Sequence, residues 1–364
     1  MKITIVAGAR PNFMKIAPII KAIEQVQQTG KDISYRLVHT GQHYDKKMSE
    51  SFFEELNIPA PEVNLEAGGG TQAEQTAAIM VRFEKELQQN RPDVVIVVGD
   101  VTSTMACSIT AKKLGVDVAH VEGGIRSGDM TMPEEINRIV TDSISDHFFT
   151  TSQTANENLL KSGVEPDRIH FVGNTMIDTL LSNIGRLKDP EITVRGARLE
   201  AQSYFTLTLH RPANVDEQSK LRSMMNAIIE GTDKYPIIFP VHPRTARYLE
   251  ELSITDERLH FVEPLSYLQF NYLVKHSKGV ITDSGGITEE TTVMGVPCLT
   301  LRDNTERPET VTIGTNELIG TNPSYLKPYL DKLLKGEWKK GGVPPLWDGK
   351  ASERIVQKLV QLYA

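Results

Sequence analysis

Short β-branched runs alternate along the chain with stretches whose apolar residues recur every three or four positions. Ile3–Val6 is the first such run, and Ile16, Ile19, Ile20 and Ile23 follow at helical spacing. Tyr35–His39, Pro92–Val98, Val116–Val121, Asp146–Thr151 and Ile169–Val172 read as further strands. Pro92–Val98 is continuously apolar, the mark of a parallel strand covered on both faces. The stretch Lys188–Arg195, with a proline and mixed polarity, interrupts the rhythm. It then restarts at Phe205–Leu209, Ile237–Val241, His260–Val262, Val280–Thr282 and Cys298–Leu301. Two runs of strand–helix alternation imply an α/β chain of two doubly wound domains with a cleft between them. The expected domains are residues 1–187 and 188–351. A last helix, 352–364, carries Ile355, Leu359, Val360 and Leu362 on one stripe and could return to the first domain.

The turn after Val280–Thr282 carries the strongest chemical signal. Asp283-Ser284-Gly285-Gly286 leads straight into a helical pattern. Ser284, Gly285 and Gly286 can bring bare backbone N–H groups to an anion, and the helix N-terminus adds partial positive charge. Glu290 lies about one and a half turns further on and could face a sugar hydroxyl of the same ligand. The same residues would also serve an ordinary strand–helix turn with an Asp or Ser cap.

What raises the ligand reading is that charged residues stand at the ends of other apolar runs. Arg10 lies on the loop after the first strand, and Lys15 about one turn into the helix. Asp100 follows Val98-Gly99, Glu122 follows Val121 beside two glycines, and Pro133-Glu134-Glu135 opens a further helix. Acids in a first turn suit the helix dipole, so one of Glu134 and Glu135 can be purely structural. In the second half His210, Arg211, His242, Arg244, Arg302 and Arg307 occupy the corresponding loops. Ligands of open α/β sheets bind at these carboxyl ends. Cations there fit a nucleoside diphosphate. Carboxylates facing it fit proton transfer on a diphosphate-linked sugar.

Composition excludes several alternatives. The chain has 364 residues and a net charge of −7, which gives no support to nucleic-acid or membrane-surface binding. No apolar run approaches a membrane span, and Met1–Gly8 reads as a strand rather than a signal segment. Cys107 and Cys298 form no C-x-x-C pair and read as small buried residues of a reducing compartment, so a cytoplasmic location is expected. G-x-G-x-x-G, a P-loop, H-E-x-x-H and G-x-S-x-G are all missing, so neither a dinucleotide cofactor nor a metal is expected.

Eight ordered stretches resemble the non-hydrolysing UDP-N-acetylglucosamine 2-epimerases. They are Gly8–Lys15 (GARPNFMK), Val98–Thr104 (VGDVTST), His120–Ser127 (HVEGGIRS), Pro133–Arg138 (PEEINR), Gly173–Thr175, Thr208–Asn214 (TLHRPAN), Asp283–Glu290 (DSGGITEE) and Leu301–Glu309 (LRDNTERPE). The resemblance implies two Rossmann-like domains arranged as in two-domain glycosyltransferases, a homodimer, and a cofactor-free exchange of UDP-GlcNAc with UDP-ManNAc. UDP is eliminated to leave a 2-acetamidoglucal, then re-added with inversion at C2. By the same resemblance Asp100, Glu122 and Glu134 are catalytic carboxylates, with the order of base and acid left open. Arg10, Lys15, His210 and Ser284–Gly286 would stabilise the departing diphosphate, with His242 also on the UDP. Glu290 would hold ribose hydroxyls, and Arg307 would meet the diphosphate or sugar.

The chain departs from the common GTRPEAIK at Ala9, Asn12 and Phe13, and has Gly123 where alanine is usual. GARP with a nearby aromatic is also similar to 2-epimerases of UDP-2,3-diacetamido uronic acids. Thr305–Glu309 favours the GlcNAc enzyme. Many bacterial members are activated by a second UDP-GlcNAc near Gln42-His43. Asp45 and Gly68–Thr71 depart from that pattern, so the sequence leaves such activation open. A UDP-sugar glycosyltransferase and a non-catalytic UDP-sugar sensor are the readings of another class.

Overall fold

The computed structural model describes residues 1–41, 53–241, 249 and 254–363. Seven strands form a wholly parallel sheet: β1 (Lys2–Ala7), β2 (Ser34–His39), β3 (Val63–Asn64), β4 (Val94–Val98), β5 (Asp117–Val121), β6 (His147–Thr150) and β7 (Ile169–Phe171). Their order is β3-β2-β1-β4-β5-β6-β7, with Ile3 beside Tyr35 on one side and Val94 on the other. The order reverses between β1 and β4, so the loops leaving those strands diverge and open a crevice at their carboxyl ends. Every residue of β4 is buried, as its unbroken Val/Ile run requires.

The helices of this unit include α1 (Arg10–Gln28), α2 (Gln72–Gln89), α3 (Thr102–Lys113), α4 (Pro133–Ile144), α5 (Gln153–Lys161) and α6 (Thr175–Asn183). The second begins at Gln72, where Thr71 and Glu74 form a reciprocal capping box at its start. Small residues dominate α3 and most are buried, which lets it pack closely against both α2 and α4.

The second unit repeats the architecture. After a short hairpin of β8 (Thr193–Val194) and β9 (Ala197–Arg198) come β10 (Phe205–Thr208), β11 (Ile237–Pro240), β12 (Leu259–Val262), β13 (Gly279–Thr282), β14 (Cys298–Thr300) and β15 (Asn316–Leu318). These six are parallel in the order β12-β11-β10-β13-β14-β15, reversing between β10 and β13. The helices are α7 (Pro212–Val215), α8 (Gln218–Gly231), α9 (Tyr267–His276), α10 (Gly285–Met294), α11 (Pro308–Thr312) and α12 (Leu326–Leu334). Met225 and Ile228 of α8 and Leu330 of α12 close one face of the sheet over Phe205, Phe239 and Ile281.

The final helix, α13 (Ala351–Tyr363), packs on α1. Asp178 caps it, accepting from Ala351 N at 3.0 Å, Ser352 N at 2.7 Å and Ser352 Oγ at 2.6 Å. Trp347 is buried and donates Nε1–H to the Thr151 carbonyl. Gly173, at φ +96°, passes so close to Leu346 that a Cβ would stand 2.0 Å from its carbonyl oxygen. The compact units are therefore Met1–Ser182 with Pro345–Ala364, and Asn183–Pro344. Both divisions fall ahead of the expected 187 and 351. Cys107 and Cys298 are buried free thiols, and burial pushes the Cys298 thiol up to about 12. Among the described residues, no helix is long and apolar enough to cross a membrane.

Candidate active site

The turn from β1 into α1 is built by Asn12. Its Oδ1 accepts from Gly8 N and Ala9 N, both at 3.0 Å, and its Nδ2 donates to the Val98 carbonyl at 2.9 Å. This joins the ends of β1 and β4. Arg10 is the first residue of the helix rather than a loop residue. Its side chain, His242 and Arg244 lie outside what is described. Lys15, just over a turn in, reaches Glu122: Nζ and Oε2 are 2.6 Å apart, with the side chains 12% and 2% exposed. Gly99 clears the way, since a Cβ there would stand 3.1 Å from Lys15 Nζ. Glu122 follows β5 at φ +72°, a left-handed backbone that costs a non-glycine residue about 1–3 kcal/mol.

Asp100 does not cap a helix, because α3 starts at Thr102 with Val101 before it. Its Oδ2 instead accepts from Arg138 Nη2 at 2.5 Å and Nε at 3.1 Å, and its carbonyl accepts from Asn137 Nδ2 at 2.8 Å. Arg138 Nη1 also donates to Glu135 at 2.8 Å. Glu135 accepts in addition from Ser127 N and Oγ and from Gly128 N, tying down the loop before α4. Burial alone would raise Glu135, but those donors overcome it and hold the carboxyl below its usual range. Glu135 is thus the structural member of the acidic pair. Glu134 is half-buried and makes no side-chain hydrogen bond or ion pair among the described residues.

In the second unit Asp283 organises the strand ends. It is fully buried and accepts from Arg211 N at 2.9 Å, Asn214 Nδ2 at 3.1 Å and His210 N at 3.1 Å. His210 Nδ1 lies 2.8 Å from its Oδ1, while the imidazole itself is 52% exposed. Burial pushes Asp283 up, but the His210 contact and the backbone donors win and hold it below the usual carboxylate range. Ser284 occupies the cap position of α10 without a side-chain cap bond, and its N–H turns back to Thr282 Oγ1. The first-turn amides, from Gly285 and Gly286 onward, have no intrahelical acceptors.

Arg302 is buried in a bidentate pair with Glu306, both contacts at 2.7 Å, and Arg307 is buried against Glu289. The loops are therefore less positive than a count of their cations implies. Among the described residues, the α10 N-terminus remains a local source of positive potential. Glu290 is buried too. It accepts from Tyr267 Oη at 3.0 Å and Asn271 Nδ2 at 3.3 Å, and burial outweighs both donors to push it up to about 7. The sequence assigns no role to Asn12, Arg138 or the pair His120–Asp142. All but Asp142 sit inside a quoted motif, and the contacts that give them their roles, to Val98, Asp100 and each other, lie tens of residues away.

Fold and site together define a class: two parallel α/β sheets, one presenting carboxylates and a lysine at its strand ends, the other an anion-ready helix N-terminus. The family model for UDP-N-acetylglucosamine 2-epimerase matches residues 25–360, and the chain belongs to that family. It is similar to the UDP-N-acetylglucosamine 2-epimerase of Methanocaldococcus jannaschii, at 43% identity over 371 residues and 99% of each chain. It is also similar to the UDP-2,3-diacetamido-2,3-dideoxy-D-glucuronate 2-epimerase of Pseudomonas aeruginosa, at 39% identity over 370 residues and 100% of each chain. The crystal structure of the M. jannaschii UDP-GlcNAc 2-epimerase in complex with UDP-GlcNAc and UDP matches with a TM-score of 0.86 at 40% identity, covering 99% of this chain and 100% of that one.

Proposed function

We propose that this chain interconverts UDP-GlcNAc and UDP-ManNAc without a cofactor. The observation that carries the reading is the pair of carboxylates Asp100 and Glu122 at the ends of the adjacent strands β4 and β5, Glu122 in contact with Lys15, with Glu134 in the first turn of α4, in a member of this family. The C2 proton is weakly acidic, so departure of UDP must carry much of the barrier. As a carboxylate takes that proton, the C1–O bond breaks and its electron pair leaves with the UDP oxygen. A 2-acetamidoglucal with a C1=C2 double bond remains. Return of the UDP oxygen to C1, with a proton delivered to the opposite face of C2, gives the epimer. Two acid/base groups are required, drawn from Asp100, Glu122 and Glu134.

The Ser284 hydroxyl, the first-turn amides of α10 at Gly285 and Gly286, His210, Lys15 and Arg10 stabilise the leaving diphosphate. His242 joins the UDP contacts. Glu290 meets the ribose while Tyr267 and Asn271 orient it. Arg307, held by Glu289, serves this region chiefly by positioning the α10 helix. The same reading places the enzyme in the cytoplasm as a homodimer.

A second substrate, a UDP-2,3-diacetamido uronate, is supported by the P. aeruginosa relative and by Gly8–Pro11. Incubation with UDP-GlcNAc in D₂O, followed by NMR, tests both. UDP-ManNAc with deuterium at C2 and no accumulating free ManNAc supports the main reading. Free ManNAc with UDP points to a hydrolysing enzyme. No change shifts the assignment to the uronate.

A further inference from the structure

His120 is the penultimate residue of β5 and is wholly buried, yet the mechanism above does not use it. Both of its ring nitrogens face acceptors. Nδ1 lies 2.7 Å from Asp142 Oδ1, and Nε2 lies 2.8 Å from the Gly99 carbonyl oxygen. A carbonyl can only accept. Asp142 is held as a carboxylate, because its Oδ2 already accepts from Gly124 N at 3.0 Å and Arg126 Nη1 at 2.6 Å. A neutral imidazole has one N–H and would set a lone pair against one of these acceptors. In a buried site that mismatch has no water to relieve it.

We propose that His120 is an imidazolium, protonated on both nitrogens, that acts as a positioning residue by clamping the Gly99 carbonyl and with it the two strand ends that present Asp100 and Glu122. Gly99 is then gripped from both sides, since its own N–H donates to the Val121 carbonyl at 3.0 Å. The residue after Gly99 is Asp100, and the residue after Val121 is Glu122. Burial by itself would push Asp142 up, but the His120 and Arg126 contacts hold it low, in keeping with a charged partner. The charged groups around the ring are Asp142 on α4 and, through it, Arg126. On its own strand end stands Glu122 with Lys15 of α1, and beyond Gly99 stands Asp100 with Arg138. The positioning role rests on the proposed epimerase reading; the protonation does not.

The test uses full-length protein with ¹⁵N-labelled histidine. His120, assigned by its loss in His120→Gln, is expected to show a directly bonded proton on both Nδ1 and Nε2 at neutral pH. Asp142→Asn keeps the fold's contacts if its Oδ1 serves Gly124 N and Arg126 while its amide N–H donates to His120 Nδ1. In that variant the ring is expected to become neutral, with its single proton on Nε2. With UDP-GlcNAc, His120→Gln is expected to lower kcat by about a hundredfold. KM should stay near the wild-type value, because the groups assigned to UDP belong largely to the other unit. A wild-type ring with only one N–H overturns the proposal, as does wild-type kcat in His120→Gln. If the wild-type chain turns over no UDP-sugar, the functional reading fails, and the ring protonation still decides the inference.

Discussion

Lys15 and Glu122 form an ion pair of 2.6 Å in which neither side chain has appreciable contact with solvent. Truncating one member of such a pair strands the other charge. Glu122→Gln keeps the volume and leaves Lys15 a carbonyl oxygen to donate to. We expect it to fold and to bind UDP as the wild type does. Its kcat should fall about a hundred- to ten-thousand-fold, the range for losing a general acid or base. Calorimetric UDP binding and the D₂O exchange assay check the two halves separately. Full turnover would remove Glu122 from the acid/base set.

The glycines after β13 and β5 predict opposite outcomes. Nothing lies within 4 Å of a Cβ placed on Gly286, whose φ is ordinary. Gly286→Ala should therefore keep the wild-type melting temperature. Its methyl group would stand at the bare helix end assigned to the diphosphate, so UDP affinity should fall about tenfold, roughly one charge-assisted hydrogen bond. Gly124 sits at φ +82°, and a Cβ there would lie 2.3 Å from the Ala155 carbonyl oxygen. Gly124→Ala should yield little folded protein. An unchanged UDP affinity in Gly286→Ala would move the diphosphate away from this turn.

Asp283 is the buried acceptor for the His210–Asn214 turn. Asp283→Asn replaces a carboxylate facing backbone N–H groups by an amide that must turn one donor toward them. A loss of about 2–4 kcal/mol at neutral pH is expected. The folded-state carboxyl is held below its usual value, so its stabilisation is present above the unfolded value and is lost as pH falls through the folded one. Thermal unfolding should thus show the gap between wild type and variant narrowing in acid. A gap that holds constant with pH would contradict this account.

Much of the fold was legible because both sheets are parallel and buried: Val94–Val98 and Gly279–Thr282 announce themselves by unbroken apolar runs. Short edge strands such as Val63–Asn64 and Asn316–Leu318 carry no such run, and their pairing is decided by their neighbours. At the site, position was legible and partnership was not. Asp100 and Glu122 stand at strand ends because the loops must emerge there, and Lys15 lies in the α1 helix that follows β1. Whether an arginine there is available to a ligand depends on contacts across the fold. Arg307 meets Glu289 from eighteen residues away, and Asp100 meets Arg138 from thirty-eight. Spacing could not separate Glu134 from Glu135 either, since both lie in one helical turn. The loop at Ser127 and Gly128 does so.

Glu290 supplies a pH dependence of the opposite sign to Asp283. Burial pushes it from 4.5 to about 7, with Tyr267 and Asn271 only partly offsetting the cost of the charge. An acid raised on folding makes the native state hold more protons than the unfolded chain between those two values. Stability therefore falls as pH rises from about 4.5 to about 7 and levels off above. The whole effect is at most about 3 kcal/mol. Glu290→Gln keeps an oxygen that can accept from both Tyr267 and Asn271 but carries no charge. Urea unfolding at pH 5 and pH 8 should show the variant gaining on the wild type at the higher pH. The same substitution should weaken UDP binding, because a ribose hydroxyl would lose a charged acceptor worth about 1.5–3 kcal/mol. A variant that gains stability at pH 8 but binds UDP normally would make Glu290 a structural acid and take the ribose elsewhere.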